Sequence, residues 1–419
     1  MAVAFTSEPV DDINVSNQHL IYTIYDSAST PDRYVVDVHE TFNFTQQVST
    51  STLIAKVYIT PNAQNRGVFD LSDIVENRLI QPTTITGQGG PKFVHNTGST
   101  EAPAVDDPSV AKYTLQARRL DNGVESAVGE TLVKYLLNGA WQIKDGKHPS
   151  FSEFYCDAAS NTAKAWLTNL PNNSQLIERH MADEDEGRAQ IMQHSLMGVT
   201  CFLNRVRYEL RNSSGTLLAS KNLSVNLSVF LPQNVRNVPM GPVNLEAYFG
   251  SDWDETWSYC DLIPQQTGVQ LGATLRIHRD CRPIKHAPVQ LAWANSVGGW
   301  DMVRFDARAP KTIQKNEKRF RKDPLDWQGT TTSWQPWDRG TTTFHNEGRK
   351  RFTLTHDEFT TDERALLEFC MRSRLVYYRY GTDAWAPCVV DTNSLLIEPA
   401  GSKMYRVSLV IEDANPVRC

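Results

Sequence analysis

A chain of 419 residues, 40% of them hydrophobic and 21% charged, has the composition of a folded globular protein and not of a disordered, collagen-like or membrane one. Its 42 Lys and Arg against 48 Asp and Glu leave a net charge of -6, which excludes an overall electrostatic pull toward nucleic acid or an anionic membrane. No stretch approaches the ~18 apolar residues of a membrane helix, and MAVAFTSEPVDD lacks the basic and apolar regions of a signal peptide, so no secretion is expected. Cys156, Cys201, Cys260, Cys281, Cys370, Cys388 and Cys419 are scattered and form no CxxC pair. They read as reduced thiols of a protein made in the cytosol.

The first third is a succession of short runs rich in β-branched and aromatic residues: HLIYTIYD, RYVVDVHET, TLIAKVYIT, AKYTLQARRL and GETLVKYLL. With turn clusters such as DSASTPD, TPNAQNRG and LDNG between them, they predict an antiparallel sandwich of the immunoglobulin or fibronectin sort. In VFDLSDIVENRL, Ser72 is expected to cap a short helix from Asp73 to Leu79. Further on, residues 204–231 predict a hairpin with Gly215 in its turn, and VQLGATLRIHRD another strand. Residues 308–350 turn to Lys, Arg, Thr and Trp without periodicity and read as an extended arm or long loop. Thr361, Glu363 and the apolar set Leu366, Leu367 and Phe369 mark one helix of about three turns. The strands RLVYYRY, APCVVD, SLLIEP and MYRVSLVIED follow it.

The fold expected is therefore mainly β, in three β-rich modules. Residues 1–140 form a sandwich, and residues 141–307 a second β-sandwich ending in a tryptophan hairpin. Residues 308–419 form a basic, Trp-bearing arm with a small β-sheet on one helix.

That hairpin is LAWANSVGGWDMVRFD, residues 291–306. Alternation places Val289, Leu291 and Trp293 on one face and Gln290, Ala292 and Ala294 on the other. Gly298 and Gly299 suit positive φ in the turn after Asn295. Trp293 and Trp300 then buttress a tight corner; a sugar-stacking platform is the rival reading. Leu291, Trp293, Asn295, Gly298, Gly299, Trp300, Asp301 and Phe305 also make the segment resemble the L-x-W-L-N-x-x-G-G-W-D-x-F-x-F element of a family of bacteriophage structural proteins, especially of phages infecting Bacteroidetes. Ala294 and Val303 depart from that pattern. VFDLSDIVENRL, KAWLTNLP (164–171) and LLEFCMRSRLVYY with APCVVD resemble further elements of the family in the same order. The resemblance implies a virion component, made in the host bacterial cytoplasm, whose work is assembly and not chemistry. Its implied partners are other virion proteins and copies of itself. A host surface glycan is an alternative partner; no membrane and no cofactor are expected.

Chemical sites are sparse. Consecutive carboxylates in ADEDEG (Asp183, Glu184, Asp185, Glu186) do not converge on a cation without a turn to fold them back, so a solvated loop or a helix start is expected. His278 and Cys281, three apart on a strand, point to opposite faces and are poorly placed for proton transfer. His194 and His356 have no companion at metal-ligand spacing. No Walker loop, dinucleotide turn, HExxH or GxSxG element occurs.

The run KTIQKNEKRFRK carries Lys311, Lys315, Lys318, Arg319, Arg321 and Lys322 with one acid. It reads as hydrated surface first, a protein interface second and a nucleic-acid contact last. Joined to Trp327, Trp334 and Trp337, it is the expected interface. A glycan-binding module would instead show exposed coplanar rings among Trp253, Trp257, Trp334 and Trp337. A glycoside hydrolase would show two carboxylates facing each other across a cleft.

Overall fold

A computed structural model of the chain describes residues 3–9, 13–15, 19–41, 51–76, 110–137, 154, 164–173, 175–192, 203–224, 235–282, 285–321, 341–359, 361–381, 384–392, 405–415 and 417–418. The protein is mainly β, with five sheets of antiparallel character and three short helices among the described residues. It forms two compact units. One comprises Met1–Pro283, Trp293–Met302 and Arg372–Arg374; the other comprises Ile284–Ala292, Val303–Met371 and Leu375–Cys419.

Within the first unit, the N-terminal strands build two sheets that share one core. Ala4–Ser7, Ile21–Tyr25 and Arg66–Asp70 form a three-stranded sheet. Ile13–Val15, Glu130–Leu137, Val110–Asp121, Arg33–Thr41 and Ser51–Ile59 run in that order in a second, with Val124–Glu125 beside it. Tyr22, Ile24 and Phe69 of the first sheet meet Tyr34, Val36, Val38, Tyr113 and Leu115 of the second in the apolar cluster. Alternation explains the arrangement: in Arg66–Asp70, Gly67 and Phe69 are buried while Arg66, Val68 and Asp70 face out. Gly67 has to lack a side chain, because a Cβ there would lie 2.7 Å from the ring of Tyr34.

Two polar contacts fix how the sheets meet. The hydroxyls of Tyr22 and Tyr113 lie 2.8 Å apart in the core. Burial pushes both phenols above their ordinary pKa, and for Tyr22 the neighbouring Tyr113 adds to it, so they stay protonated and share a hydrogen bond. The Tyr34 hydroxyl donates to the Asn65 carbonyl at 2.6 Å and accepts from the Asp26 backbone N–H at 3.0 Å. It ties the end of one strand to the loop before Arg66–Asp70.

The first helix is Ser72–Glu76, and Asp70, not Ser72, satisfies its start. Asp70 Oδ1 accepts the backbone N–H groups of Leu20 and Ser72, both at 2.9 Å, and Oδ2 lies 2.6 Å from His19 Nδ1. A carboxylate two residues earlier reaches the free N–H groups that the helix presents, so the Ser72 hydroxyl is not needed as the cap. Burial alone would raise the Asp70 pKa. The hydrogen bonds from Ser72, His19 and Leu20 outweigh it and hold the carboxyl below its ordinary value.

The middle of the chain forms a six-stranded sheet in the order Leu176–Ala182, Thr274–Asp280, Tyr259–Gln266, Arg205–Arg211, Leu217–Ser224, with Val269–Gln270 alongside. Leu176–Ala182 and Thr274–Asp280 run parallel. The expected hairpin is present, and Gly215 at φ 82° makes its turn. Gly187–Met192 and Val235–Met240 form a separate antiparallel pair, which leads into the helix Pro242–Phe249.

The last sheet has eight strands. Its path runs Trp300–Phe305, Val289–Ala294, Val376–Tyr380, Ala386–Val390, Tyr405–Asp413, Thr341–Phe359 and Lys311–Arg321, with Val417–Arg418 beside Thr341–Phe359. The strands of the tryptophan hairpin are thus part of this sheet, which begins before residue 308. The helix Thr361–Arg372 stands where its pattern places it, with Leu366, Leu367 and Cys370 buried. Lys311–Arg321, read from sequence as arm or loop, is a strand at the sheet's edge. Its residues are nearly all exposed, so no hydrophobic alternation marks it, and only pairing with Thr341–Phe359 reveals it.

Two measurements check these contacts. Tyr22→Phe leaves the buried Tyr113 hydroxyl without its partner and is expected to cost about 1 to 3 kcal/mol, whereas Tyr22→Phe with Tyr113→Phe costs less than the sum of the two single changes. A urea-unfolding double-mutant cycle reads that coupling, and strict additivity would refute it. Asp70 with its lowered pKa contributes stability above the ordinary carboxylate value of ~3.9, and the contribution is lost as pH falls through the depressed folded value. Asp70→Asn is therefore expected to melt below the unsubstituted protein at pH 6, with the gap closing below about pH 4.

Candidate functional site

The tip of the tryptophan hairpin, residues 293–302, and the segment 164–190 belong to the same compact unit, and here the sequence motifs meet. Trp293 is fully buried and Trp300 nearly so. Alternation does not separate a wet face from a dry one: every residue from Val289 to Trp293 is buried, Gln290 and Ala292 included. A strand covered on both sides loses the polar face that a period of two predicts.

Asn295 organises the turn. Its backbone N–H donates to the Gly299 carbonyl at 2.9 Å. Its Oδ1 accepts from the backbone N–H groups of Val297 at 3.1 Å and Gly299 at 2.8 Å. Its Nδ2 donates to the Leu167 carbonyl at 2.8 Å and to Asp301 Oδ2 at 3.1 Å. The amide thus uses both acceptor positions and both donors, while 1% of the residue is exposed.

The two glycines serve different ends. Gly298 has φ 88°, where a side chain is strained. Gly299 does not adopt such a φ. A Cβ there would lie 2.0 Å from the Leu167 carbonyl oxygen, so the position is empty because another backbone passes through it. The expectation of positive φ at both holds for the first alone.

Asp301 is completely buried. Its Oδ1 accepts from the Thr168 hydroxyl and from Arg179 Nη2 at 2.9 Å; its Oδ2 accepts from the Asn169 backbone N–H at 3.0 Å and from Asn295. Four donors and one guanidinium charge hold a carboxylate that has no contact with water. Around this centre Asn169 exchanges two hydrogen bonds with Ser296, and Gln190 Oε1 accepts the Trp300 backbone N–H at 2.8 Å. Trp166 is held from behind by its Nε1 donating to the Ala273 carbonyl at 2.8 Å. Ala165, just before it, sits in the left-handed region at φ 63° and is fully buried. Trp166, Thr168, Arg179, Gln190 and Trp300 line a gap no larger than a water molecule.

Chemically this is a joint. The Asp301 carboxylate is fully buried and has each oxygen occupied by two donors, so it offers no lone pair to a substrate proton. KAWLTNLP and LAWANSVGGWD, read separately in the sequence, are its two halves. Arg179 and Gln190 complete it, and sequence reasoning missed both, since nothing in LIERHMA or GRAQIM marks a buried cation or amide.

The remaining candidates fall elsewhere. Lys311, Lys315, Lys318, Arg319 and Arg321 lie exposed on the edge strand. Lys322, Trp327, Trp334 and Trp337 lie outside the described residues, as does His194. ADEDEG is the tight turn between Leu176–Ala182 and Gly187–Met192. Asp185 is buried and accepts the Ala182 N–H at 2.9 Å, and Asp183 pairs with Arg279 at 2.7 Å. No group of three or more His, Cys, Asp or Glu able to hold a metal occurs among the described residues.

His278 Nε2 lies 2.9 Å from Glu178 and its ring stacks on His180 at 4.9 Å, while Cys281 is exposed beyond the end of the strand. His356 is buried against Asp306 at 3.6 Å. Burial would raise the Asp306 pKa, but the contacts with His356 and Arg304 lower it overall. Of the rings a glycan platform would use, Trp253 and Trp257 are described. They are tilted 54° from each other, and Trp257 is 2% exposed, so the pair does not form a flat exposed platform.

No family model and no curated protein matches the chain. Among solved structures, a marsupial T cell receptor is similar over 84% of this chain and 96% of that chain, at 9% sequence identity and a TM-score of 0.21. At that score the likeness carries no argument.

The joint predicts its own sensitivities. Gly299→Ala drives a methyl into the Leu167 carbonyl and is expected to cost at least about 3 kcal/mol. Asn295→Asp, nearly isosteric, sets a second carboxylate against Asp301 and the Leu167 carbonyl and is expected to cost about 3 to 5 kcal/mol. Chemical unfolding followed by tryptophan fluorescence measures both, and a loss under 1 kcal/mol in either would show that the joint does not hold this part of the fold.

Proposed function

We propose that this chain is a non-enzymatic structural protein of a bacteriophage virion, assembled with copies of itself and with neighbouring virion proteins. One observation carries the reading: the two most marked elements of the resemblance, KAWLTNLP and LAWANSVGGWD, bind each other through Asn295, Gly299 and Asp301. Residues that make the resemblance are thereby residues that make one joint, which supports their reading as the signature of a scaffold. The mainly β architecture, with sheet faces and one long exposed strand, suits a subunit that works through its surfaces. On the same resemblance the position is at the tail or portal vertex and not in the major shell. Trp327, Trp334 and Trp337, which follow the edge strand in sequence and lie outside the described residues, are the proposed contact with neighbours.

Immunogold electron microscopy of purified particles with antibody to this chain tests the proposal. Labelling at a fixed place on the particle is the expected result, with the tail or vertex labelled and the shell bare. Particles that assemble without the chain would overturn it.

A further inference from the structure

The strand Lys311–Arg321 and its partner Thr341–Phe359 pair over the whole length of the former, from Lys311 opposite Phe352 to Arg321 opposite Thr341. Tyr405–Asp413 pairs only from Arg351 onward, and Val417–Arg418 touches Glu347 and Gly348 alone. Residues 341–346 therefore pair with no strand but Lys311–Arg321 among the described residues. The strand pair runs out of the sheet as a two-stranded ribbon, an element of marginal stability in water by itself.

Alternation sorts its side chains. The bulge between Lys318 and Arg319 skips a residue of the partner strand, so alternation along Lys311–Arg321 is unbroken. One face presents Lys311, Ile313, Lys315, Glu317, Arg319 and Arg321, with Lys350 opposite Ile313. The other presents Thr312, Gln314, Asn316, Lys318 and Phe320, with His345, Glu347, Arg349 and Arg351 opposite. The first face thus carries five cations against the single carboxylate of Glu317, which Lys315 and Arg319 flank from either side. Lys311, Arg321 and Lys350 form no ion pair among the described residues. On the second face Glu347 is bound by His345 and Arg349, Arg349 also by Glu412, and Arg351 by Asp391, so of its cations Lys318 alone forms no ion pair among the described residues.

The cationic face continues the buried one. Phe352 and Leu354, on the same side of the partner strand, lie in the core, and Lys311 covers the ring of Tyr380 at 3.4 Å from its centre. Where the ribbon leaves the sheet, lysine and arginine replace the apolar residues.

We propose that this face binds the phosphate backbone of nucleic acid, without regard to sequence. Protein interfaces are depleted of lysine and centre on buried aromatic anchors; among the described residues this face has three lysines and, as an exposed apolar side chain, Ile313 alone. Same-face neighbours repeat every ~6.7 Å along the strand, a ladder of cations for a polyanion. The ~12 Å major groove of a duplex admits a two-stranded ribbon. Asn316 and Gln314 are on the opposite face, and Asn346, opposite Glu317, is the one amide on this face among the described residues; a single amide among five cations favours contact to phosphate over readout of base edges. A second copy of the same strand is repelled by its own charge.

The test is fluorescence anisotropy of the full chain with a labelled random-sequence duplex across a salt series. A net of about four cations gives a log–log salt slope of roughly -3.6, so binding weakens by about two orders of magnitude between ~50 and ~200 mM salt. Arg319→Gln with Arg321→Gln is expected to flatten the slope by about 1.8, and Glu317→Gln to steepen it by about 0.9. Lys318→Gln, on the other face, leaves it unchanged. All are exposed positions or, for Glu317, one that loses only its charge; unchanged melting temperatures confirm that each variant folds. No binding at the lowest salt, or a Lys318→Gln effect equal to that of Arg321→Gln, would overturn the proposal. So would binding of poly-glutamate in place of the duplex, which would assign the face to an acidic protein. The proposal stands apart from the virion reading, since it is read on the isolated chain and the other on particles.

Discussion

A carboxylate sealed from water is the constraint around which the middle of this protein is arranged. Asp301 is fully buried, and a charge in that position is tolerated only when paired and fully hydrogen-bonded. The chain supplies Arg179, the Thr168 hydroxyl, the Asn169 backbone N–H and the Asn295 amide. Those four donors come from three separate stretches of sequence. Satisfying one side chain therefore fixes the relative position of a hairpin tip, a loop and a strand. Apolar burial has no such directionality. Trp166, Trp293 and Trp300 provide area, while the polar centre decides register, because a hairpin shifted by one residue would withdraw Asp301 from Thr168, Asn169 and Arg179.

The same logic recurs in the N-terminal sandwich at lower stakes. Tyr22 and Tyr113 place two hydroxyls in an apolar core, where each is the other's partner. Tyr34 closes a loop with its hydroxyl, and Asp70 gathers Leu20, Ser72 and His19 where strand turns to helix. Each is a polar group whose removal leaves a neighbour stranded, so these contacts select one pairing of sheets from the many that would bury similar apolar area. The ribbon Lys311–Arg321 is governed by the opposite rule. Most of its charged side chains are exposed, where they remain hydrated and available to a partner.

Much of this was written plainly in the chain. The β-branched runs announced the sheets, and Leu366, Leu367 and Phe369 announced the helix Thr361–Arg372. The motif residues around Trp293 were visible as a tight corner, because tryptophan, asparagine and paired glycines are together typical of one. Their separate tasks were not. Gly298 is there for its φ and Gly299 for a backbone that passes 128 or more residues away in sequence, and both look the same as letters. The edge strand was hidden for a related reason: a strand exposed on both faces has no hydrophobic period to detect.

Sequence by itself determined the class of fold, the positions of most strands and the two segments that form the joint, since local propensity and alternation depend on neighbours along the chain. Tertiary structure alone decided that those segments meet, that Arg179 and Gln190 complete the contact, that Asp70 and not Ser72 serves the first helix, and that five cations share one face of a ribbon. Hydrogen-bond partners and close approaches are set by distances in space, and one chain read in one dimension carries no record of them.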